Sequence, residues 1–244
     1  MKVYGIIGYP LGHSFSQKYF TEKFIKEAIP DCSYQVFPLQ TVAGLKDLIA
    51  ANPQLYGLNI TIPHKQTVVN LLDDISHLPQ HLKACNCIKI EAGKLTGYNT
   101  DVIGFEQSLL PQLKNHHTHA LILGNGGAAE AVKFVLAKLH IPYKVVSRKL
   151  HNSADIIYGN LDENIIAANT LIINTTPVGT FPNTGECPDI PYQYITAQHL
   201  LYDLVYNPSK TLFLKKGEEH GAAIKNGYDM LVLQAEESWK IWNS

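Results

Sequence analysis

An α/β fold in two domains is predicted by three features of this 244-residue sequence. Short β-branched runs alternate with amphipathic stretches along the chain, the pattern that gives layered strands and helices. A polar run at residues 115–119 (NHHTH) interrupts this alternation, after which strand, helix and strand begin again. Just past the break, a glycine-rich turn stands between an apolar run and a helical pattern, as in a doubly wound nucleotide-binding domain.

Taken in order, residues 3–7 read as a buried strand, 17–28 as a helix, 34–37 as a strand, 42–50 as a helix and 55–61 as a third strand. Residues 87–91 and 95–98 read as a hairpin with Gly93 in its turn. Beyond the break, ALILG (120–124) is a buried strand. Val132, Val135, Leu136 and Leu139 then recur at i, i+3, i+4 and i+7, one face of a helix. YKVVS (143–147), LIIN (171–174) and LLYDLVY (200–206) are further strands. The stretch NGYDMLVLQAEESWKIW is a long amphipathic helix after Gly227, expected to return to the N-terminal half and make that half discontinuous.

Composition excludes several functions. The 45% hydrophobic fraction excludes a disordered chain. Twenty basic and 21 acidic residues give a net charge of −1, without the overall basic field of a dedicated nucleic-acid binder. No apolar run approaches the roughly 20 residues that span a bilayer, and the first apolar stretch is too short for a signal peptide. Four cysteines do not form a disulfide framework. A cytoplasmic protein is expected. His116, His117 and His119 read as a solvated loop rather than a metal set, and no metal is expected.

Five motifs carry chemistry. In LILGNGGAAEA, Gly124, Gly126 and Ala129 fill G-x-G-x-x-A between a strand and a helix. Gly124 permits the tight turn, Gly126 lets backbone approach a pyrophosphate, and the helix N-terminus offers N–H groups to phosphates. At the end of the next strand, Ser147, Arg148 and Lys149 stand where an NAD site carries an acid. Arg148 would pair with a 2′-phosphate, which favours NADP; a solvated Arg-Lys pair is the alternative. In GYPLGHSFS, Ser14 and Ser16 are either donors to a small carboxylate or helix caps. In LNITIPHK, Asn59 and Thr61 alternate at a strand end and Lys65 follows, a proton-transfer group if its ammonium is partly desolvated, otherwise a surface lysine. In GYNTD, Asp101 is either a cap or a carboxylate that holds Lys65 and orients a substrate hydroxyl.

In this order, these motifs together with ACN, INTTPVG, YDLVYNPSKT and NGYDMLVLQ resemble the shikimate dehydrogenase family over residues 8–234. The resemblance implies NADPH-dependent reduction of 3-dehydroshikimate to shikimate in the chorismate pathway of aromatic biosynthesis. It implies Lys65 and Asp101 as the acid/base pair and Ser14 and Ser16 on the substrate carboxylate. It places Asn59, Thr61 and Asn86 on the ring hydroxyls, with Tyr206 and Gln234 completing the substrate site. On the cofactor side it matches Gly124, Asn125, Gly126, Gly127, Ala128, Ser147, Arg148, Lys149, Thr175, Leu204 and Gly227.

The sequence departs from the family at several places. Cys85 and Cys87 flank Asn86 where Val and Thr are commoner; at i, i+2 they share one strand face and read as buried reduced thiols, with a redox or metal pair as the alternative. Ser147 and Lys149 replace the usual Asn and Thr around Arg148, and Asn125 replaces an Ala. The sequence stops ten residues after Gln234, where many relatives continue into another helix. The expected organisation is a substrate-binding α/β domain, 1–103 completed by 226–244, and a Rossmann-like NADP-binding domain, 104–225, with the active site in the cleft. The expected partner is a small-molecule substrate, with no nucleic acid and no membrane, in a monomer or homodimer. Two alternatives are an NAD-using quinate/shikimate dehydrogenase, disfavoured by Arg148 without an acid, and a non-catalytic sensor, disfavoured by Lys65 and Asp101.

Overall fold

The structure, a computed structural model, describes residues 1–12, 14–80, 82, 84–149 and 155–244. It comprises two compact units, Met1–Thr100 with Ala235–Ser244, and Asp101–Gln234.

The first unit is built on a five-stranded sheet. Strands β1 (Lys2–Gly8), β2 (Cys32–Pro38) and β3 (Leu55–Ile60) are parallel, and β4 (Cys87–Glu91) and β5 (Lys94–Tyr98) add an antiparallel hairpin, in the order β2-β1-β3-β4-β5. Gly93 takes φ 81° in the hairpin turn, a conformation that suits glycine. Helix α1 (Phe15–Lys26) and helix α2 (Leu45–Ala51) connect the parallel strands. The helix expected over 42–50 is divided: Val42–Gly44 form a 3-10 turn and the α-helix begins only after Gly44, a poor helix former.

Both faces of this sheet are covered. Along β1, Val3 and Ile7 enter one core and Tyr4 and Ile6 the other, the period-two alternation of a strand. The second core is aromatic. Its outer wall is the end of helix α7 (Tyr228–Asn243), whose residues from Ala235 on belong to this unit. The Trp242 ring stacks on Tyr4 at 4.9 Å and lies so close to β3 that a Cβ at Gly57 would come within 2.2 Å of the indole. Trp242 Nε1 donates to the Ile88 carbonyl at 3.0 Å. Lys23, buried on α1, pairs with Glu27 at 2.8 Å and with Glu236 at 2.9 Å, which ties α1 to α7.

One expectation for this unit is corrected. Cys85 and Cys87 are free, buried thiols, but they do not share a strand face. Pairing with β5 starts at Cys87, so Cys85 precedes the strand; Cys85 enters the aliphatic core and Cys87 the aromatic one.

The second unit holds six parallel strands: β6 (Ala120–Leu123), β7 (Tyr143–Ser147), β8 (Ile156–Ile157), β9 (Leu171–Asn174), β10 (Leu200–Asp203) and β11 (Ala223–Lys225). Their order, β11-β10-β9-β6-β7-β8, is the doubly wound arrangement with its switch point between β6 and β9. The runs ALIL, LIIN and LLYD are buried at every position, as strands covered on both faces must be. Helices α3 (Thr100–Leu109), α4 (Gly127–Lys138), α5 (Glu163–Ala168) and α6 (Leu212–Glu219) accompany them. The first half of α7, as far as Gln234, lies in this unit. It crosses α3 at Gly104, where a Cβ would meet the Met230 carbonyl at 2.6 Å.

Two further expectations change in this unit. The strand expected over 200–206 stops at Asp203, whose carboxylate accepts from Val205 N at 3.0 Å and bends the chain into a turn. His117 is not solvated: it is buried, and its Nδ1 accepts from Lys114 N at 3.0 Å. Among the described residues, no cluster of His, Cys, Asp and Glu is arranged to hold a metal ion, and no helix is long and apolar enough to cross a membrane.

The Trp242–Gly57 contact gives the first prediction. Gly57→Ala overpacks the indole and is expected to cost about 1–3 kcal/mol in denaturant unfolding. Trp242→Ala is expected to cost about 3–5 kcal/mol. In the Trp242→Ala background, Gly57→Ala is expected to lose most of its cost. An equal cost in both backgrounds would show that Trp242 is not what confines position 57.

Candidate active site

In the first unit, the chain order reverses between β1 and β3, and the loops leaving their carboxyl ends form the place where open α/β sheets bind ligands. These two loops are tied together. Tyr9 N donates to the Ile62 carbonyl at 3.0 Å, and a Cβ at Gly8 would lie 2.4 Å from the Thr61 methyl. The β1 loop ends at Ser14, which caps α1 by accepting from Gln17 N at 3.4 Å, a bond that uses an oxygen lone pair and not the hydroxyl proton. Ser16, in the first turn of α1, is buried.

The β3 loop carries Thr61, whose N–H donates to the Ile7 carbonyl at 2.9 Å, and a turn closed by His64 N on the Thr61 carbonyl at 3.0 Å. Lys65 follows, half-buried, and its carbonyl accepts from Cys85 N at 2.8 Å. That bond draws in the segment bearing Asn86. Ser14, Ser16, Thr61, Lys65 and Asn86 therefore sit on three loop segments joined backbone to backbone or through α1. Asp101 lies in the first turn of α3, 8% exposed.

The two asparagines differ in what they can offer. Asn86 Oδ1 accepts from Thr100 N at 2.6 Å; because a backbone N–H can only donate, this fixes which end of the amide is which. Asn86 Nδ2 donates to Thr100 Oγ1 at 3.0 Å, which leaves its other N–H without a partner among the described residues. Asn59 is spent inside the unit. Its Oδ1 accepts from Tyr34 at 2.7 Å, and its Nδ2 donates to Ser238 Oγ at 3.0 Å and to the Asn86 carbonyl at 3.4 Å.

In the second unit, the glycine-rich turn follows β6 at the switch point. Gly124 takes φ 100°, and a Cβ there would come within 2.6 Å of the Thr176 methyl and 3.1 Å of Thr175 Oγ1 at the end of β9. At Gly126 and Gly127 an added Cβ meets no atom of the described residues within 4 Å, so no contact among them requires glycine there. Gly126 is the N-cap of α4, and Ala128 follows in the first turn. Asn125 Oδ1 accepts from Lys133 at 2.5 Å. Ser147 bonds the Lys149 carbonyl, which shapes the turn after β7. Arg148 and Lys149 are exposed and, among the described residues, neither pairs with a carboxylate.

Thr175 Oγ1 donates to the Leu123 carbonyl at 2.9 Å. Gly227 is required by backbone proximity, since a Cβ would lie 2.1 Å from the Leu204 carbonyl oxygen. Tyr206 is half-buried, and burial raises its phenol pKa. Gln234 is buried on α7, with Nε2 donating to the Leu231 carbonyl at 2.9 Å.

Sequence reading passed over several residues that organise these loops: Tyr34, Thr100 and Ser238 in the first unit, and Asn174, Asp203 and Thr211 in the second. Asp203 carried a signal, an acid inside the apolar run LLYDLVY. It is fully buried and accepts from Asn174 Nδ2 at 2.9 Å, Val205 N at 3.0 Å and Thr211 Oγ1 at 2.5 Å. Asn174 in turn accepts from Thr176 N at 3.0 Å, so the carboxylate braces both the β9 and the β10 loops.

A doubly wound sheet with a glycine turn at its switch point, joined in one chain to a second α/β unit rich in loop hydroxyls, amides and a lysine, defines a dinucleotide-dependent enzyme. The comparisons name it more narrowly. Residues 6–88 match the family model for the shikimate dehydrogenase substrate binding domain. A shikimate dehydrogenase (NADP(+)) of Methanococcus maripaludis is 40% identical, covering 99% of this chain and 91% of its own. Among solved structures, a shikimate dehydrogenase in complex with NADP+ matches with TM-score 0.87 at 31% identity, covering 99% of this chain and 89% of that one. The Thermus thermophilus shikimate 5-dehydrogenase in complex with NADP(H) and shikimate matches with TM-score 0.86 at 25% identity, covering 99% and 93%. The chain belongs to the shikimate dehydrogenase family.

Burial of Asp203 generates a pH prediction. Desolvation outweighs its three donors and raises its pKa from the usual 3.8 to about 6. Between these values the folded state holds a proton that the unfolded chain has released. The folded state thus binds more protons, and this group's contribution to stability falls as pH rises from about 4 to about 6, by on the order of 3 kcal/mol. Asp203→Asn removes that titration. Its stability relative to the parent is expected to rise across this window and then level off in urea unfolding at stepped pH. A difference independent of pH would show that Asp203 is ionised throughout.

Proposed function

We propose that this protein catalyses the reversible NADPH-dependent reduction of 3-dehydroshikimate to shikimate. The observation that carries the reading is the gathering of Ser14, Ser16, Thr61, Lys65 and Asn86 on tied loops at the carboxyl ends of β1 and β3, in a chain of this family. The substrate is a small carboxylic acid bearing ring hydroxyls. Ser14 and Ser16 offer hydroxyls to the carboxylate, and Thr61 and the remaining N–H of Asn86 meet ring hydroxyls. Tyr206 and Gln234 are assigned to the substrate as well. Residues 1–103 with 226–244 are read as the substrate-binding domain and 104–225 as the cofactor-binding domain.

The residues of the second unit fit NADP. The α4 N-terminus presents backbone N–H groups and a partial positive charge beside two glycines whose missing side chains leave open space. Gly124, Asn125, Ala128, Thr175, Leu204 and Gly227 form the surrounding turn and loops. Arg148, flanked by Ser147 and Lys149, suits a 2′-phosphate and stands where an acid would repel one. When bound, NADPH supplies the hydride. The chain supplies the proton: Lys65 donates it to the ketone oxygen, and its ammonium stabilises the charge that develops there. Asp101 accepts from a substrate hydroxyl and holds the acid/base pair in register.

The test is shikimate-dependent reduction of NADP+, with NAD+ and quinate run alongside. Rapid turnover with shikimate and NADP+ alone is expected; comparable rates with NAD+ or quinate would move the protein to the broader-specificity branch, and no turnover would overturn the reading. Lys65→Ala and Asp101→Ala are expected to lose turnover by orders of magnitude, whereas Ser16→Ala chiefly raises the apparent shikimate constant. Near-normal turnover in Lys65→Ala would remove it from the mechanism. Arg148→Ala is expected to lose roughly ten- to a hundredfold of the preference for NADP+ over NAD+, the size of one charged hydrogen bond.

A further inference from the structure

Asn86 meets its substrate hydroxyl with an amide whose two ends are nearly identical in shape. Reversed, it would present a carbonyl oxygen instead of an N–H. What holds it one way round is a buried set of polar groups that ends on the C-terminal helix. Thr100 faces Asn86 with its backbone N–H at 2.6 Å from Oδ1 and its hydroxyl at 3.0 Å from Nδ2. The Thr100 hydroxyl lies 3.3 Å from Ser238 Oγ and 3.3 Å from Asn86 Oδ1. Ser238 also receives Asn59 Nδ2 at 3.0 Å, and Asn59 in turn receives Tyr34 at 2.7 Å. Ser238 and Thr100 are 0% and 1% exposed, and Asn59 and Asn86 are 4% and 3% exposed, so these bonds are shielded from bulk solvent.

We propose that Ser238 is a positioning residue for shikimate. Acting through Thr100, it holds that hydroxyl beside Asn86 Nδ2 as an acceptor, which adds to the backbone N–H of Thr100 in keeping the other N–H of Asn86 directed at the substrate. This rests on the assignment of Asn86 to a ring hydroxyl made above. It also reassigns Asn59, implied by family resemblance as a ring contact, to the frame that supports Asn86. Both of its N–H groups are already committed, so it has no donor left for a substrate. Ser238 touches no reacting atom in this scheme; its effect is on affinity.

The experiment is a pair of double-mutant cycles on the full-length enzyme. Ser238→Ala and Thr100→Val are each made in the parent and in Asn86→Ala, and the apparent constants for shikimate and NADP+ are measured with the unfolding midpoint. Each substitution is expected to raise the shikimate constant about five- to tenfold, the scale of one net hydrogen bond, and to leave the NADP+ constant within about twofold. In Asn86→Ala, neither is expected to raise the shikimate constant further. Equal effects in both backgrounds, or an unchanged shikimate constant in the parent, would overturn the positioning role. If Ser238→Ala does not fold, Thr100→Val, which keeps the side-chain volume, decides alone by the same criteria. If Asn86→Ala itself leaves the shikimate constant unaltered, the assignment of Asn86 falls and this inference with it, an outcome distinct from the two above.

Discussion

The first unit depends on how one helix lies on one strand. On α7, Ser238 and Trp242 are four residues apart and share a face; on β3, Gly57 and Asn59 are two apart and share a face. Four residues of helix rise about 6 Å and two residues of strand about 6.6 Å, so the two pairs stay in step. Trp242 meets Gly57 while Ser238 meets Asn59. The apolar contact sets the distance, since only glycine admits an indole so close. The polar contact sets the register, since a one-residue slip would leave one N–H of Asn59 without its Ser238 acceptor in the core. A buried donor without a partner costs about 1–3 kcal/mol, comparable to the burial energy of a large side chain. Helix and strand are thereby held in one alignment.

The second unit solves its problem by proximity of backbone. At Gly124 the chain must turn in the left-handed region against Thr175 and Thr176, and at Gly227 it passes the Leu204 carbonyl with no room for a side chain. Both positions lie where the sheet ends and loops begin. Asp203 then joins two of those loops at the expense of a desolvated carboxylate. The raised pKa is the sign that its donors do not fully offset burial. The fold carries this cost where it fixes the ends of β9 and β10, the loops next to the glycine turn.

Much of this was legible in the sequence because it follows from period and punctuation. The alternation along β1, the helical face of Val132, Val135 and Leu136, and Gly93 in its hairpin are local signals. So is the glycine turn, which a strand and a helix bracket on the page. The residues that were missed act at long range. Nothing near Ser238 marks it as a partner of Asn59, 179 positions away. Tyr34 reads as a strand residue, and in GYNTD the cap reading falls on Asp101 rather than on Thr100. Cys85 and Cys87 were placed on one face because spacing alone cannot show where pairing starts. Strand β10 was read too long because Val205 and Tyr206 suit a strand, whereas the Asp203 side chain bonds the backbone two residues on and ends it.

The buried polar groups of the first unit illustrate what such networks contribute. Replacing the set by apolar side chains of equal volume would cost little stability, because hydrogen bonds inside a protein largely replace those made to water. What would be lost is orientation. A substrate hydroxyl both donates and accepts, so it can bond either end of an asparagine, and shape alone does not reject a reversed amide. Only a neighbour that can donate but not accept makes the two orientations unequal. The backbone N–H of Thr100, at the start of α3, is such a neighbour, with the Thr100 hydroxyl beside Ser238. Fixing a helix end in the core thus becomes a means of telling one atom of an amide from another.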